Sequence, residues 1–326
     1  MRRMLITGVS GFVGALTCRR ALATGWSVRG TVRALRSPAA VPELELVATG
    51  DVGEGVDWTG ALAGVQAVIH LAGVTAGGDV AAAEACERVN HLATLRLAEA
   101  AAGAGVRRFV YASSIKVNGE ESGRSPFSEA TRPAPRGAYA RSKWRAEEGL
   151  HEIARRSPLE VTVVRPPLVH GAAAPGRFAQ LLEAIDRGIP LPLGLACNRR
   201  SLVGVHNLGD FLVRCAECPA AGNEVFLVSD GEDFALCDVV RILAEGMGRR
   251  PRLLPLPPAL ARAGARLLGR RDAAGRLFGS LRIDDRKARA LLGWAPPEPA
   301  REALLRTGAG FAAQRAPAGF EHEGRA

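Results

Sequence analysis

The fold class predicted by the 326 residues is α/β: a doubly wound parallel sheet with a smaller, mainly helical C-terminal domain. Three observations predict it. In the first half, short apolar runs alternate with longer helical stretches, the pattern of parallel strands joined by crossover helices. A glycine-rich turn, Thr7 to Gly14, follows the first apolar run at once. Beyond Gly171 the alternation weakens, helical segments dominate, and proline returns at Pro190, Pro192, Pro251, Pro255, Pro257 and Pro258.

Taken in order, Met4 to Thr7 reads as strand one, and the glycine turn opens a helix near Ala15. Ser27 to Val32, Leu44 to Val47 and Ala67 to Leu71 read as strands two to four. Val80 to Ala102 is alanine-rich and helical, Arg108 to Ala112 gives strand five, and Val161 to Arg165 gives strand six. Between Asn118 and Gly137, Gly119, Gly123, Pro126, Pro133 and Pro135 mark a loop that leads into Tyr139. Phe178 to Arg187 and Leu236 to Met247 are helical, and the apolar run Val225 to Val228 rejoins the main sheet. The expected organisation is a dinucleotide-binding domain over 1–170, joined again by 204–230. A substrate-binding domain over 171–203 and 231–316 and a disordered tail at 317–326 complete it.

A chain of this length buries most of its extended surface and sustains a real core. Its net charge of +10 invites a nucleic-acid reading, but all but three of the 43 basic residues are arginine. They are scattered with no aromatic stacking platform between them, so no nucleic-acid partner is expected. Cys215 and Cys218 lack a second Cys/His pair at zinc spacing, so no metal is expected and the thiols read as reduced. The opening turns into Gly8 too soon for a leader's apolar region, and the apolar run Leu253 to Leu268 is interrupted by prolines and arginines. The expectation is a cytoplasmic protein with no membrane segment.

Gly8, Gly11 and Gly14, placed between a strand and a helix, let the backbone turn tightly, approach a pyrophosphate and pack helix on strand. The helix N-terminus then offers its N–H groups to the phosphates, with Thr7, Phe12 and Val13 part of the same turn. This is the signature of a Rossmann dinucleotide site. Where an acidic residue would read the hydroxyls of NAD, Val32 ends strand two, with Arg33 and Arg36 following. A guanidinium welcomes a 2′-phosphate, which predicts NADP, with NAD the alternative.

Tyr139 and Lys143 stand one helical turn apart in a chain with two tyrosines and three lysines (Lys116, Lys143 and Lys287). A Tyr and Lys at this spacing taken alone are more often a packed ring and a solvated cation. Behind a dinucleotide turn the pair reads as an acid/base, the ammonium lowering the phenol's affinity for its proton.

On these residues the chain resembles an extended short-chain dehydrogenase/reductase of the NAD-dependent epimerase/dehydratase kind, over nearly its whole length. The matching positions are Thr7 to Gly14, Gly50-Asp51-Val52, His70-Leu71-Ala72-Gly73, Asn90, Ser113-Ser114, Tyr139 with Lys143, and Arg165-Pro166 with Val169 beyond. The resemblance implies that Asp51 and Val52 lie at the adenine, and that Leu71, Ala72, Gly73, Asn90, Pro166 and Val169 lie along the cofactor. Lys143 would sit on the nicotinamide ribose, and Ser114 would be the catalytic hydroxyl beside Tyr139. Lys116, Arg200 and Arg276 would meet the substrate, with both arginines on its diphosphate. A homodimer through Ala82 to Ala102 and Tyr139 to Arg155 is likewise implied.

Ile115-Lys116 replaces the Asp-Glu of dehydratases, Asn118 stands where epimerases have a tyrosine, and His170 replaces the tyrosine before Gly171. The stretch Ser114 to Glu120 is most similar to bacterial 4-ketoreductases that form UDP-N-acetylquinovosamine, and almost as similar to UDP-sugar 4-epimerases. The first expectation is therefore hydride transfer to a 4-keto-6-deoxy-UDP-sugar. A UDP-hexose or UDP-N-acetylhexosamine 4-epimerase with retained NAD is the second. Reduction of a smaller ketone or aldehyde and a non-catalytic dinucleotide-binding protein are further alternatives.

Overall fold

Seven strands, β1 (Arg3–Thr7), β2 (Ser27–Val32), β3 (Leu44–Ala48), β4 (Ala67–His70), β5 (Arg108–Ala112), β6 (Glu160–Arg165) and β7 (Val225–Leu227), form one sheet in the order β3-β2-β1-β4-β5-β6-β7. Every pairing in it is parallel. The computed structural model describes residues 2–35, 43–75, 79–257, 259, 260 and 278–315.

Parallel strands are covered on both faces, which is why their sequences are continuously apolar. Successive residues of β1 show it. Met4 and Ile6 enter a core with Val28, Val110, Val164, Phe211 and Phe226, whereas Leu5 enters the opposite core with Val68, Leu97, Phe109, Tyr111 and Leu150. On the first face lie α1 (Phe12–Ala23) and α7 (Val205–Glu217), and on the second α2 (Thr59–Leu62), α4 (Ala93–Gly103) and α5 (Gly137–Arg156), with α3 (Val80–Ala85) leading toward α4. Strand order reverses between β1 and β4, so the chain leaves the sheet in opposite directions there and opens a crevice at the strands' carboxyl ends. The glycine turn and Leu71 to Gly73 stand at that crevice.

Among the described residues two compact units separate. One is drawn from within Met1–Val169, Arg200–Asp233 and Gly279–Glu298, the other from within His170–Arg199, Phe234–Phe278 and Pro299–Ala326. The sequence reading assigns 279–298 to the second domain, and the structure corrects it. Ile283 shares a core with Ile115, Phe127 and Leu227. The Trp294 indole donates to Asp210 Oδ2 at 2.8 Å and lies edge-on to Phe211. The second unit contains α6 (Arg177–Asp186), α8 (Leu236–Gly246) and the helix Ala300–Arg315, with Leu182, Leu243 and Leu304 fully buried. The tail at 317–326 lies outside the described residues.

Candidate active site

The glycine turn is a cradle that side chains would fill. Gly8 has φ +72°, and a Cβ there would lie 2.9 Å from the Ala72 nitrogen; a Cβ on Gly14 would lie 2.1 Å from the Gly8 carbonyl oxygen. The Gly11 N–H donates to that same oxygen at 2.9 Å, and Gly11 caps α1 in extended conformation. No acidic side chain occupies the first turn of α1. The helix end offers backbone N–H groups and no competing carboxylate, so it fits a dinucleotide's pyrophosphate.

A buried relay ties this turn to the loop after β4. The Thr7 hydroxyl accepts from the Leu71 and Ala72 N–H groups at 3.1 Å each, and its own proton goes to His70 Nδ1 at 2.7 Å. On the far side Thr94 donates to the Asn90 carbonyl at 2.8 Å, leaving its oxygen to accept from His70 Nε2 at 3.0 Å. The network assigns the ring one proton, on Nε2. Burial, reinforced by the charge of Lys143, pushes His70 down to about 3. Sequence reasoning used His70 only as a family match and missed Thr94.

Asn90 departs from its expected place on the cofactor. The helix read as continuous over Val80 to Ala102 widens into a π turn at Cys86–Leu92, a device common at functional sites. There the fully buried Asn90 spends its side chain on other groups. Its Oδ1 accepts from Val74 N at 2.8 Å, and its Nδ2 donates to Val74 O at 2.9 Å and to the Ser142 hydroxyl at 3.2 Å. Asn90 therefore clamps the loop carrying Ala72 and Gly73 and has no donor left to present to a ligand.

Ser114 follows β5 and caps the short turn Ile115–Val117, accepting from Lys116 N at 3.3 Å. Tyr139 and Lys143 are one turn apart on α5, and the Ser114 hydroxyl is close enough to the Tyr139 phenol to favour loss of its proton. Lys143 Nζ donates to the Ala112 carbonyl at 2.9 Å and lies 4.6 Å from the Tyr111 ring centroid. A Cβ added at Gly73 would sit 3.6 Å from that Nζ. The structure thus brings Ser114, Tyr139 and Lys143 together beside the loop after β4.

The electrostatics reverse one expectation. Tyr139 keeps a partly exposed edge, but its phenol end is enclosed, and burial pushes it above the ordinary value despite the Ser114 hydroxyl. Lys143 does not offset this, because it is itself buried and pushed down to about 8, with Glu147 and Cys86 pulling the other way. Its ammonium is directed at Ala112 O. Desolvation outweighs the neighbouring charge.

Beneath these residues lies a carboxylate that the sequence reading passed over, although its i+4 spacing from Lys143 was visible. Glu147 is fully buried. Its carboxylate accepts from Arg165 Nε at 3.1 Å to each oxygen, from Arg165 Nη2 at 2.5 Å, and from the Ser113 hydroxyl. Arg165 Nη1 donates to Asn118 Oδ1 at 3.0 Å, and Asn118 Nδ2 faces the Ser128 and Thr131 carbonyls at 3.3 and 3.4 Å. Asn118, expected beside the sugar, is buried within this network. In the second unit His170 is also buried, bonded to Thr307 Oγ1 at 3.0 Å.

Of the other predicted positions, exposed Asp51 caps the turn Val52–Glu54 through Gly53 N at 2.8 Å. Arg33 is exposed just past β2. The Pro166 carbonyl accepts from Ile115 N at 2.9 Å, and Val169 packs on the first-face core. Exposed Lys116 places its Nζ 5.7 Å from the Tyr139 ring centroid. Arg200 Nη2 donates to the Gly279 carbonyl at 3.0 Å with Glu121 nearby, and burial lowers its proton affinity. Arg36 and Arg276 lie outside the described residues. Among the described residues, no group of three or more His, Cys, Asp or Glu could hold a metal, and no helix is long and apolar enough to cross a membrane.

The model of the NAD dependent epimerase/dehydratase family matches residues 4–229. The chain is 36% identical over 317 residues to UDP-glucose 4-epimerase of Vibrio cholerae, covering 95% of each. It is 29% identical over 264 residues to ceramide reductase of Caulobacter vibrioides, covering 80% of this chain and 75% of the other. The structure of MoeE5 in complex with UDP-glucose and NAD matches with a TM-score of 0.78 at 26% identity, covering 96% of this chain and 99% of that one. A glycine cradle, a Ser-Tyr-Lys constellation and a family match over more than half its length agree, and the chain belongs to the NAD dependent epimerase/dehydratase family of enzymes.

Proposed function

We propose that this enzyme is a UDP-sugar 4-epimerase that oxidises and re-reduces one carbinol carbon with NAD retained. The observation that carries the reading is the grouping of the Ser114 hydroxyl, the Tyr139 phenol and the Lys143 ammonium beside the loop after β4 and the glycine cradle. The 36% identity to UDP-glucose 4-epimerase and the UDP-glucose and NAD in the MoeE5 structure support the substrate and the cofactor. Thr7, Gly8, Gly11, Phe12, Val13 and Gly14 would hold the pyrophosphate, Asp51 and Val52 the adenosine end, and Leu71, Ala72, Gly73, Pro166 and Val169 the length of the dinucleotide. When bound, the nicotinamide supplies hydride acceptance and return. Ser114 would hydrogen-bond the oxygen on the reacting carbon, Tyr139, once it has given up its own proton, would take the hydroxyl proton and give it back, and Lys143 would stand one helical turn away, held at the Ala112 carbonyl. Lys116 and Arg200 would contact the sugar nucleotide.

A second reading, reduction of a 4-keto sugar nucleotide by NADPH, is favoured by two observations. No carboxylate ends β2, where Val32 is followed by exposed Arg33. The raised Tyr139 also holds a proton ready to donate to a keto oxygen. Two incubations separate the readings. With UDP-glucose or UDP-N-acetylglucosamine, the first reading expects the 4-epimer with no net change in nicotinamide absorbance and NAD co-purifying with the enzyme. Stoichiometric NADPH consumption with a UDP-4-keto-6-deoxy sugar, and no epimer from the hexoses, would replace it with the second.

A further inference from the structure

Ser114 hangs between two anchors. On one side the Ser113 N–H donates to the Val164 carbonyl at 2.7 Å and the Ser113 hydroxyl donates to Glu147. On the other, Ile115 N donates to the Pro166 carbonyl at 2.9 Å. Glu147 also holds Arg165, whose third nitrogen reaches Asn118 and through it the loop carbonyls at Ser128 and Thr131. That loop runs from Ser114's turn to Tyr139, so one buried carboxylate is tied to the start and the middle of the stretch that joins the hydroxyl to the phenol.

The same carboxylate lies one helical turn beyond Lys143 on the same face of α5. The groups electrostatically coupled to Lys143 or in ring contact with it are Glu147 on α5, Cys86 in the π turn, His70 at the end of β4 and Tyr111 on β5, with Tyr139 one turn before it. The neutral histidine, thiol and phenols bring no negative charge, so among these groups Glu147, although also paired with Arg165, is the one whose charge favours the buried ammonium. An apolar pair of similar volume at Glu147 and Arg165 could be as stable or more so, so burial of the pair is not accounted for by stability alone.

We propose that Glu147 is a positioning residue of this site: it fixes the turn that carries Ser114 through Ser113 and Arg165, and it supplies the negative charge that faces Lys143. The proposal rests on Lys143 serving the proton-transfer site described above, but its test does not need turnover. With only Lys116, Lys143 and Lys287 in the chain, the lysine ¹³Cε signals of labelled protein can be followed individually, each assigned by its arginine variant.

In the unsubstituted protein the Lys143 signal is expected to titrate at about 8. In Glu147→Gln that titration is expected about one pH unit lower, while Glu147→Asp keeps it near its original place. In whichever hydride-transfer assay the enzyme supports, the alkaline limb of kcat moves down with it in the Gln variant and stays put in the Asp variant. An unmoved lysine titration in a folded Gln variant overturns the proposal, as does a uniformly lower kcat with an unshifted profile. Should the Gln variant not fold, Ser113→Ala decides: a several-fold loss of kcat with the lysine titration unchanged is expected, and full activity overturns the proposal. If no UDP-sugar turns over, the functional reading fails and the lysine titrations still decide the role of Glu147.

Discussion

Tyr139 keeps its proton more tightly than a free phenol because its hydroxyl end is enclosed and Lys143 is committed to the Ala112 carbonyl. Tyr139→Phe removes the proton carrier and leaves the glycine cradle intact. Turnover is expected to fall by about 10²- to 10⁴-fold, with the dissociation constant for the dinucleotide, measured by titration calorimetry, within a few-fold of its original value. Near-normal turnover would remove Tyr139 from the mechanism. On the NADPH reading, a second residue would set cofactor choice. Arg33 is exposed at the end of β2 with no carboxylate beside it in sequence, so Arg33→Asp should move the ratio of kcat/KM for NADH over NADPH upward by at least tenfold. An unchanged ratio would leave Arg33 a surface cation.

At the scale of elements, the β1–turn–α1 unit closes only because Gly14 lets the helix ride against the Gly8 carbonyl, where a Cβ would approach to 2.1 Å. Backbone cannot step aside as a flexible side chain can. Gly14→Ala is expected to destabilise by about 1–3 kcal/mol and to weaken dinucleotide binding, read as a lower unfolding midpoint and a smaller upward shift of it on adding NAD; an unaltered midpoint would contradict the close approach. These elements were legible in the sequence because each is a local pattern: buried parallel strands read as apolar runs, and the turn reads as spaced glycines. The π turn at Cys86–Leu92 was not, since its cause is tertiary. The Asn90 carbonyl there accepts from Thr94 and from the Tyr111 hydroxyl at 3.2 Å, and neither partner is marked by local spacing as such. Glu147 stood in plain register with Lys143, but a helical repeat does not say which charged face is buried. Placing 279–298 required contacts to Phe127 and Asp210, more than 80 residues away in sequence.

Across the whole molecule, burial decides which thiols react and, at His70, sets an acid limit. Cys18, Cys86, Cys215 and Cys237 are buried, Cys218 is half-buried and Cys197 is exposed. Ellman's reagent should therefore find one fast thiol in the native protein and six in guanidinium; several fast thiols would contradict the burial. His70 sets the pH dependence. It links β1 through Thr7, the loop at Leu71 and Ala72, and the π turn through Thr94, and burial holds it neutral down to about 3 against an ordinary 6.5. Between those values the unfolded chain binds a proton at this residue that the folded chain does not. Stability is therefore fully present above pH 6.5 and is lost as pH falls toward 3, by up to about 1.4 kcal/mol per pH unit from this residue alone. Urea unfolding at a series of pH values through that window, in the original protein and in His70→Gln, measures the contribution. The variant starts less stable, having lost a relay partner, but its stability should fall less steeply with acid. Parallel pH slopes in the two proteins would mean that His70 is protonated in the folded state and that the hydrogen-bond assignment between Thr7 and Thr94 is wrong.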